Sequence, residues 1–380
     1  MPFTGNQYNP PNGAENAAPG TVVQSAIWNS IFTDMAAAFT TLMTQANTTP
    51  TWSNILAPNG GFAVWQRGAG STASFAVNAS TTQYTADRWY ITTGANQASV
   101  VSAQNGLTVA APTAHAAKII RNSGQTGTTA MTFGYPLTLD EVNRLRGQQI
   151  SFSGAAKAGA NWSPASGTFA INVYVGTGTA GKRGGGFTNE TNPLSISVNL
   201  AAGATNLAIS GTSTGTVATT STQGEIQVTW TPVGTAGGDD SLTLDQFSLV
   251  AGAIVQGFSD LPFDEALREC KRFYRKSFPY SVAPAQNAGN PGALYNLSQQ
   301  AASQISFFIN FEPVEMYATA SFTSYHPSGA STSWQTSSGA SVAASFDATF
   351  PTAKGVIIIA ATVSTAGNGI WIHYSADAGL

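Results

Sequence analysis

The feature that most constrains this chain is an alternation with a period of two. Thr168-Phe169-Ala170-Ile171-Asn172-Val173-Tyr174-Val175 reads as a strand with one buried face. Short alternating or apolar runs recur between Trp52 and Phe258, at 61–66, 88–93, 148–155, 194–200, 225–232 and 241–250. Clusters of Gly, Asn, Ser and Thr divide them, and 137–145 fits one short helix. Many short strands with turn signals between them indicate a sandwich or jelly roll. After residue 277 the pattern resumes, with strands expected at 304–312, 318–325, 341–346, 355–363 and 370–375, enough for a second compact sandwich.

Two segments break the pattern. Residues 1–20 are rich in Asn, Pro, Gly and Ala and would not order by themselves. From Thr21 to Ala46 apolar residues recur every three or four positions, Ile27, Ile31, Met35 and Leu42 among them, flanked by Trp28, Phe32 and Phe39. This predicts a helix with a wide apolar face, fitted for burial between proteins. The second break is a run of charge: nine of the thirty-three charged residues fall between Ser259 and Lys276. A helix is expected there, capped by Asp260, acidic in its first turn and basic in its last, with Phe263, Leu267, Cys270 and Tyr274 on one face.

Charged residues make up only 9% of the chain, against about 25% in an average globular protein. The polar surface is therefore built of Ser, Thr, Asn, Gln and backbone, a habit of durable or assembled proteins. With a net charge of −3 and no basic block, nothing supplies the field a phosphate backbone requires, and no nucleic-acid partner is expected. The single cysteine, Cys270, excludes an intrachain disulfide and reads as a core residue. The opening residues have no secretory pattern, and no run approaches the ~20 apolar residues of a membrane span, so no membrane insertion is expected.

Asn59-Gly60-Gly61-Phe62-Ala63-Val64-Trp65-Gln66-Arg67-Gly68, followed by Tyr84-Thr85-Ala86-Asp87-Arg88-Trp89, resembles the opening of β-sandwich domains in phage tail-fibre, head-fibre and other virion-surface proteins. Leu145–Ser153 and Leu242–Leu249 look like the middle and last strands of the same jelly roll, which is also similar to carbohydrate-binding modules. Phe263–Tyr274 resembles the helix that follows it, and His373-Tyr374-Ser375-Ala376-Asp377-Ala378 the closing residues of the C-terminal domain. The resemblance implies a virion location, at tail or capsid, and a homotrimer. It also implies that Asp245 could help hold a structural calcium.

Chemistry is sparse. Glycan cleavage needs two carboxylates, and those in the β regions are few; Asp239-Asp240 reads first as a turn. His115, His326 and His373 have no zinc spacing. The run from Gly176 to Gly186 lacks the order of a phosphate loop and reads as a flexible hairpin tip. Sugar binding stacks an exposed aromatic against a sugar and hydrogen-bonds its hydroxyls. Of the large aromatics, Trp162 beside Asn161 and Trp334 beside Gln335 sit in loop-like contexts and are the glycan-binding candidates.

The expected organisation is therefore mainly β: an N-terminal arm and anchoring helix (1–51), a jelly-roll β-sandwich (52–258), a spacer helix (259–277) and a C-terminal β-sandwich (278–380). The expected function is a virion-surface fibre or spike without catalytic residues or cofactor. Its residues 1–50 would bind other virion structural proteins, and its body host surface glycan. An architectural decoration or tail adaptor is the alternative, and a glycan depolymerase a third reading.

Overall fold

The computed structural model describes residues 54–105, 107, 115–297, 303–311, 313–330, 333–346, 352–363 and 369–379, together with 3–4, 7–8 and 32–37. Met1–Ser53 and Asn54–Leu380 are separate compact units. In the first, β1 (Phe3–Thr4) pairs antiparallel with β2 (Gln7–Tyr8). Residues 32–37 are helical, with Phe32 60% and Met35 54% exposed. Of the other residues expected on the anchoring helix, Ile27, Trp28, Ile31, Phe39 and Leu42 lie outside the described residues.

The second unit is mainly β. It begins with β3 (Ser74–Val77), β4 (Thr82–Tyr84), β5 (Tyr90–Thr92), β6 (Ser99–Gln104), β7 (Ala116–Arg121) and β8 (Met131–Leu137). After helix α1 (Leu139–Leu145) come β9 (Ile150–Ala158), β10 (Thr168–Thr177), β11 (Thr188–Asn199), β12 (Leu207–Thr212), β13 (Gln223–Trp230) and β14 (Asp240–Ala251). These form two six-stranded antiparallel sheets, ordered β11-β10-β13-β8-β5-β4 and β12-β9-β14-β7-β6-β3. The chain crosses repeatedly from one sheet to the other, as a jelly-roll sandwich requires.

The period of two decides what lies between the sheets. Phe169, Ile171, Val173 and Val175 of β10 and Ile226, Val228 and Trp230 of β13 share one core with Leu242, Leu244 and Leu249 of the opposite sheet. Trp89 stacks on Phe133 at 5.0 Å and meets Phe247 edge-on at 5.7 Å. Removing a large ring so enclosed costs about 3–5 kcal/mol. Thr138 caps α1 in a reciprocal box: its hydroxyl accepts from Glu141 N at 3.2 Å, and Glu141 accepts from Thr138 N at 2.7 Å.

Residues 61–66 are not a strand. The Asn59 side chain takes the place of a neighbouring strand, accepting from Val64 N at 2.9 Å and donating to Val64 O at 3.0 Å. Phe62 accordingly adopts φ 52°, a turn conformation that no strand allows.

The expected helix over 259–277 is shorter, α2 (Phe263–Cys270), and Pro262 stands at its N-cap with no side-chain cap. Asp264 and Glu265 in the first turn and Arg268 in the last do complement its dipole. Its successor residues are taken by β15 (Tyr274–Lys276), which pairs with the last strand. Ala266 and Cys270 pack on Ala57 and Val64, so α2 lies against the segment that opens the sandwich. The Cys270 thiol is fully buried and donates to Pro58 O at 3.6 Å; burial pushes its pKa well up, the opposite of a reactive thiol.

Beyond β15 come β16 (Leu294–Leu297), β17 (Ser303–Asn310), β18 (Ser321–Tyr325), β19 (Trp334–Thr336), β20 (Ser341–Val342), β21 (Ala344–Phe346), β22 (Gly355–Val363) and β23 (Gly369–Asp377). β23 pairs with β15, β16, β18 and β19, while β17, β22 and β21 form a second sheet. Ile305, Ile309 and Val356 from the second sheet meet Trp334, Ile370 and Ile372 from the first in one core. His373 is buried on the opposite face of β23, under the segment that follows β15, stacked on Phe278 at 3.9 Å and bonded to Ser277 Oγ and Gly289 O.

Candidate functional site on the outer face of the first sheet

The alternation that fills the core also composes the opposite face. On β10 the outward residues are Ala170, Asn172 and Tyr174; on β13 they are Glu225, Gln227 and Thr229. Strand register aligns them into rows. One row runs Ser195, Asn172, Gln227, Gly134, Tyr90 and Tyr84 across all six strands. The row on one side is Tyr174, Glu225 and Pro136. The row on the other side carries Thr229, Thr132, Thr92 and Thr82, with the hydroxyls of Thr82 and Thr92 2.9 Å apart.

Gly134 sits at the centre of the first row for a steric reason. A Cβ there would lie 2.6 Å from Glu225 Oε1 and 2.7 Å from Tyr90 Cζ. The missing side chain leaves the space in which the Tyr90 hydroxyl donates to Glu225 Oε1. The same oxygen accepts from Gln227 Nε2 at 2.6 Å, and Oε2 accepts from Arg183 N at 2.6 Å. Burial raises the Glu225 pKa, against the lowering effect of these three donors. Burial and the adjoining carboxylate push the Tyr90 hydroxyl up, so it stays a donor.

Arg183 belongs to the turn between β10 and β11, which is folded down onto the sheet instead of standing free as a flexible tip. Its guanidinium lies 3.8 Å from the Tyr174 ring centroid and pairs with both oxygens of Glu190, at 2.7 and 2.6 Å. Next to it, Lys182 Nζ stands 4.4 Å from the Tyr84 ring centroid and 5.7 Å from that of Tyr90, within cation–π range. Where the sheet meets the C-terminal segment, Arg67, Tyr84, Arg88, Phe273 and Gly379 line a small recess. Asn172, Gln227, Tyr90 and Glu225 are buried here, at 6, 5, 3 and 0% exposure, so the face presents to solvent the half-buried rings of Tyr84 and Tyr174, the hydroxyls of the threonine row and the amine of Lys182. These are the groups that grip a polyhydroxylated ligand: a ring for its apolar side and fixed donors and acceptors for its hydroxyls.

The aromatics chosen from sequence are elsewhere. Trp162 is 6% exposed; it packs against Phe169 and Trp230 and donates Nε1 to Gly167 O at 3.2 Å. Trp334 is fully buried in the C-terminal core. Their loop-like neighbours mark irregular backbone, but each ring turns inward to close a core, so neither presents a stacking face. Asn161 is exposed and accepts from Asp239 N at 3.0 Å. Gln335 stays partly exposed, opposite Trp371. Asp239 and Asp240 are tied to Lys118 and Arg121 at 2.9 and 2.8 Å. Asp245 accepts from the backbone N–H of Leu107 and of Gln246, each at 2.7 Å. Among the described residues no three His, Cys, Asp or Glu side chains gather to hold a metal ion. Asn172 and Tyr174 were legible as the non-core side of the alternating run, whereas Tyr84, Tyr90 and Gln227 join them only through register.

Two antiparallel sheets with a polar, aromatic outer face define a β-sandwich of the jelly-roll kind. No family model matches the chain, and no curated protein matches it. Among solved structures it is similar to the enzymatically active domain of tailspike protein 4 of bacteriophage CBA120, at 10% identity and a TM-score of 0.31 over 53% of this chain and 22% of that one. It is also similar to the carbohydrate-binding module TmCBM61, solved with β-1,4-galactotriose (11%, TM-score 0.26, 43% of this chain and 88% of that one). A third is the C-terminal family 22 carbohydrate-binding module of Clostridium thermocellum Xyn10B (13%, TM-score 0.28, 47% and 99%).

Proposed function

We propose that this chain is a surface protein of a phage-like particle that holds a host-surface glycan on the outer face of its first sheet. The half-buried Tyr84 ring with Lys182 over it, beside the threonine row Thr229, Thr132, Thr92 and Thr82, carries this reading, and the buried Asn172, Gln227 and Tyr90 hold the sheet beneath it. The action is attachment and not cleavage. Hydrolysis of a glycoside calls for two carboxylates about 5 to 9.5 Å apart and free to act, and on this face Glu225 and Glu190 are each engaged by donors of the chain itself. Residues 1–50 serve as the attachment to other virion proteins, a role that the exposed Phe32 and Met35 support, and the assembled form is a homotrimer.

The test is titration of the full chain with polysaccharide purified from host envelopes, followed by calorimetry. Tyr84→Ala and Thr92→Ala should each weaken binding about tenfold, equivalent to about 1.4 kcal/mol, with the melting curve retained. Binding indifferent to both substitutions would remove the site from this face. Absence of saturable binding would favour an architectural part of the particle.

A further inference from the structure

The C-terminal sheet carries a second aromatic surface. Ile370 and Ile372 of β23 point into the core, so Trp371 between them faces the other way. Register places Tyr295 beside it on β16 and Gln335 beside it on β19. The rings of Tyr295 and Trp371 have centroids 4.3 Å apart and are tilted by 38°, and Tyr295 remains 46% exposed. Gly369 fixes this arrangement. A Cβ there would lie 2.3 Å from Tyr295 Cε2 and 2.4 Å from its hydroxyl, so only the bare backbone leaves room for the hydroxyl edge of the ring. The turn beneath is held by Ser337, whose N donates to Gly369 O at 2.8 Å and whose Oγ accepts from Gly369 N at 3.3 Å.

We propose that Tyr295, Trp371 and Gln335 form a second binding site, for the pyranose ring of an uncharged oligosaccharide. Trp371 backs the Tyr295 ring at 4.3 Å and so holds it in place, and a sugar can lay its apolar C–H face on the exposed side of Tyr295 with little ordering cost. Gln335 Oε1 is buried with no hydrogen-bond partner in the chain, and a turn of this side chain toward a ligand hydroxyl would relieve the cost of leaving that acceptor unsatisfied. The neutrality of the ligand follows from the surroundings: residues 277–311, 316–346 and 355–376, which include β16, β19 and all of β23 except its last residue, Asp377, contain no Asp, Glu, Lys or Arg. An acidic polysaccharide would find no counter-charge there. This site does not depend on the first-sheet reading, and its variants are distinct.

The full chain is titrated calorimetrically with linear gluco-, galacto-, manno- and xylo-hexaoses, beside Tyr295→Ala, Tyr295→Phe, Trp371→Ala and Lys157→Ala, the last at an exposed residue of β9 outside both sites. At least one hexaose should bind, about tenfold more weakly to Tyr295→Ala and Trp371→Ala, a difference of about 1.4 kcal/mol, and with near-native affinity to Tyr295→Phe and Lys157→Ala. Circular dichroism and sedimentation of each variant accompany the titration. The proposal is overturned if no hexaose binds at millimolar concentration, if Lys157→Ala weakens binding as much as Tyr295→Ala, or if Tyr295→Ala leaves affinity intact. It is also overturned if Tyr295→Ala lowers the oligomeric mass, because the rings would then be covered by another copy of the chain.

Discussion

The guanidinium of Arg67 grips the carboxylate of Asp377 with two hydrogen bonds, one of them 3.0 Å between Nη2 and Oδ1. The pair joins the segment that opens the first sandwich to the end of the last strand. Arg67 also lies between the rings of Tyr84 and Tyr274, with Cζ 4.7 and 4.2 Å from their centroids. A planar cation suits such a slot as an ammonium does not. Burial works to raise the Asp377 pKa, yet the hydrogen bonds and charge of Arg67 hold it below the usual carboxylate range.

A double-mutant cycle of Arg67→Ala and Asp377→Ala, read by urea denaturation, should give a coupling of about 1–2 kcal/mol, moderated because Asp377 keeps 32% of its side chain in solvent. Since the folded pKa of Asp377 is depressed, the coupling is present above the unfolded-state value of about 3.9 and fades as the pH falls through the folded one. A coupling unchanged at pH 2 would contradict the pair.

Asp87 should act with the opposite sign. Its carboxylate is 1% exposed and accepts from Gln66 N at 3.2 Å and Gln66 Nε2 at 2.5 Å. Burial nevertheless raises its pKa to about 6, with Arg67 and Gln66 pulling the other way. The native state therefore binds a proton that the unfolded chain releases between roughly pH 6 and 4, so the protein gains stability from this group as the pH falls through that window. Compared with Asp87→Asn, the wild type should gain about 2 kcal/mol between pH 7 and 4. Parallel stability profiles for the two proteins would show that Asp87 titrates normally.

Gly134→Ala tests the outer face of the first sheet. The new methyl would enter the space where Tyr90 and Glu225 meet, and the rearrangement should cost about 1–3 kcal/mol. It should also weaken glycan binding, because the displaced Tyr90 ring packs edge-on against Tyr84 at 5.9 Å. A structure of the variant with the Tyr90–Glu225 hydrogen bond intact would contradict this account.

The strands and their inward sides were legible because the period of two is written residue by residue, and β10 follows the run beginning Thr168-Phe169-Ala170-Ile171. Elsewhere the local pattern misled. Gly61-Phe62-Ala63-Val64-Trp65 has the composition of a strand, but Asn59 supplies the hydrogen bonds that a neighbouring strand would have made. Trp162 and Trp334 have loop-like neighbours, and nothing in those neighbours records which way a ring turns. Tyr295 and Trp371 were among the available aromatics, but their exposure depends on β16 settling beside β23 and on the bare backbone at Gly369.

By itself, then, the sequence determined where the chain alternates, that its core is apolar and its surface nearly uncharged, and that helices interrupt the strands near residues 139 and 263. Those properties are local, because side-chain direction in a strand follows from the backbone alone. Only the tertiary structure decided which outward residues share a row, that Arg67 reaches Asp377, and that a carboxylate, a tyrosine and an amide converge over Gly134. Each joins residues far apart in the chain, and it is strand register, set by the packing of two whole sheets, that brings them together.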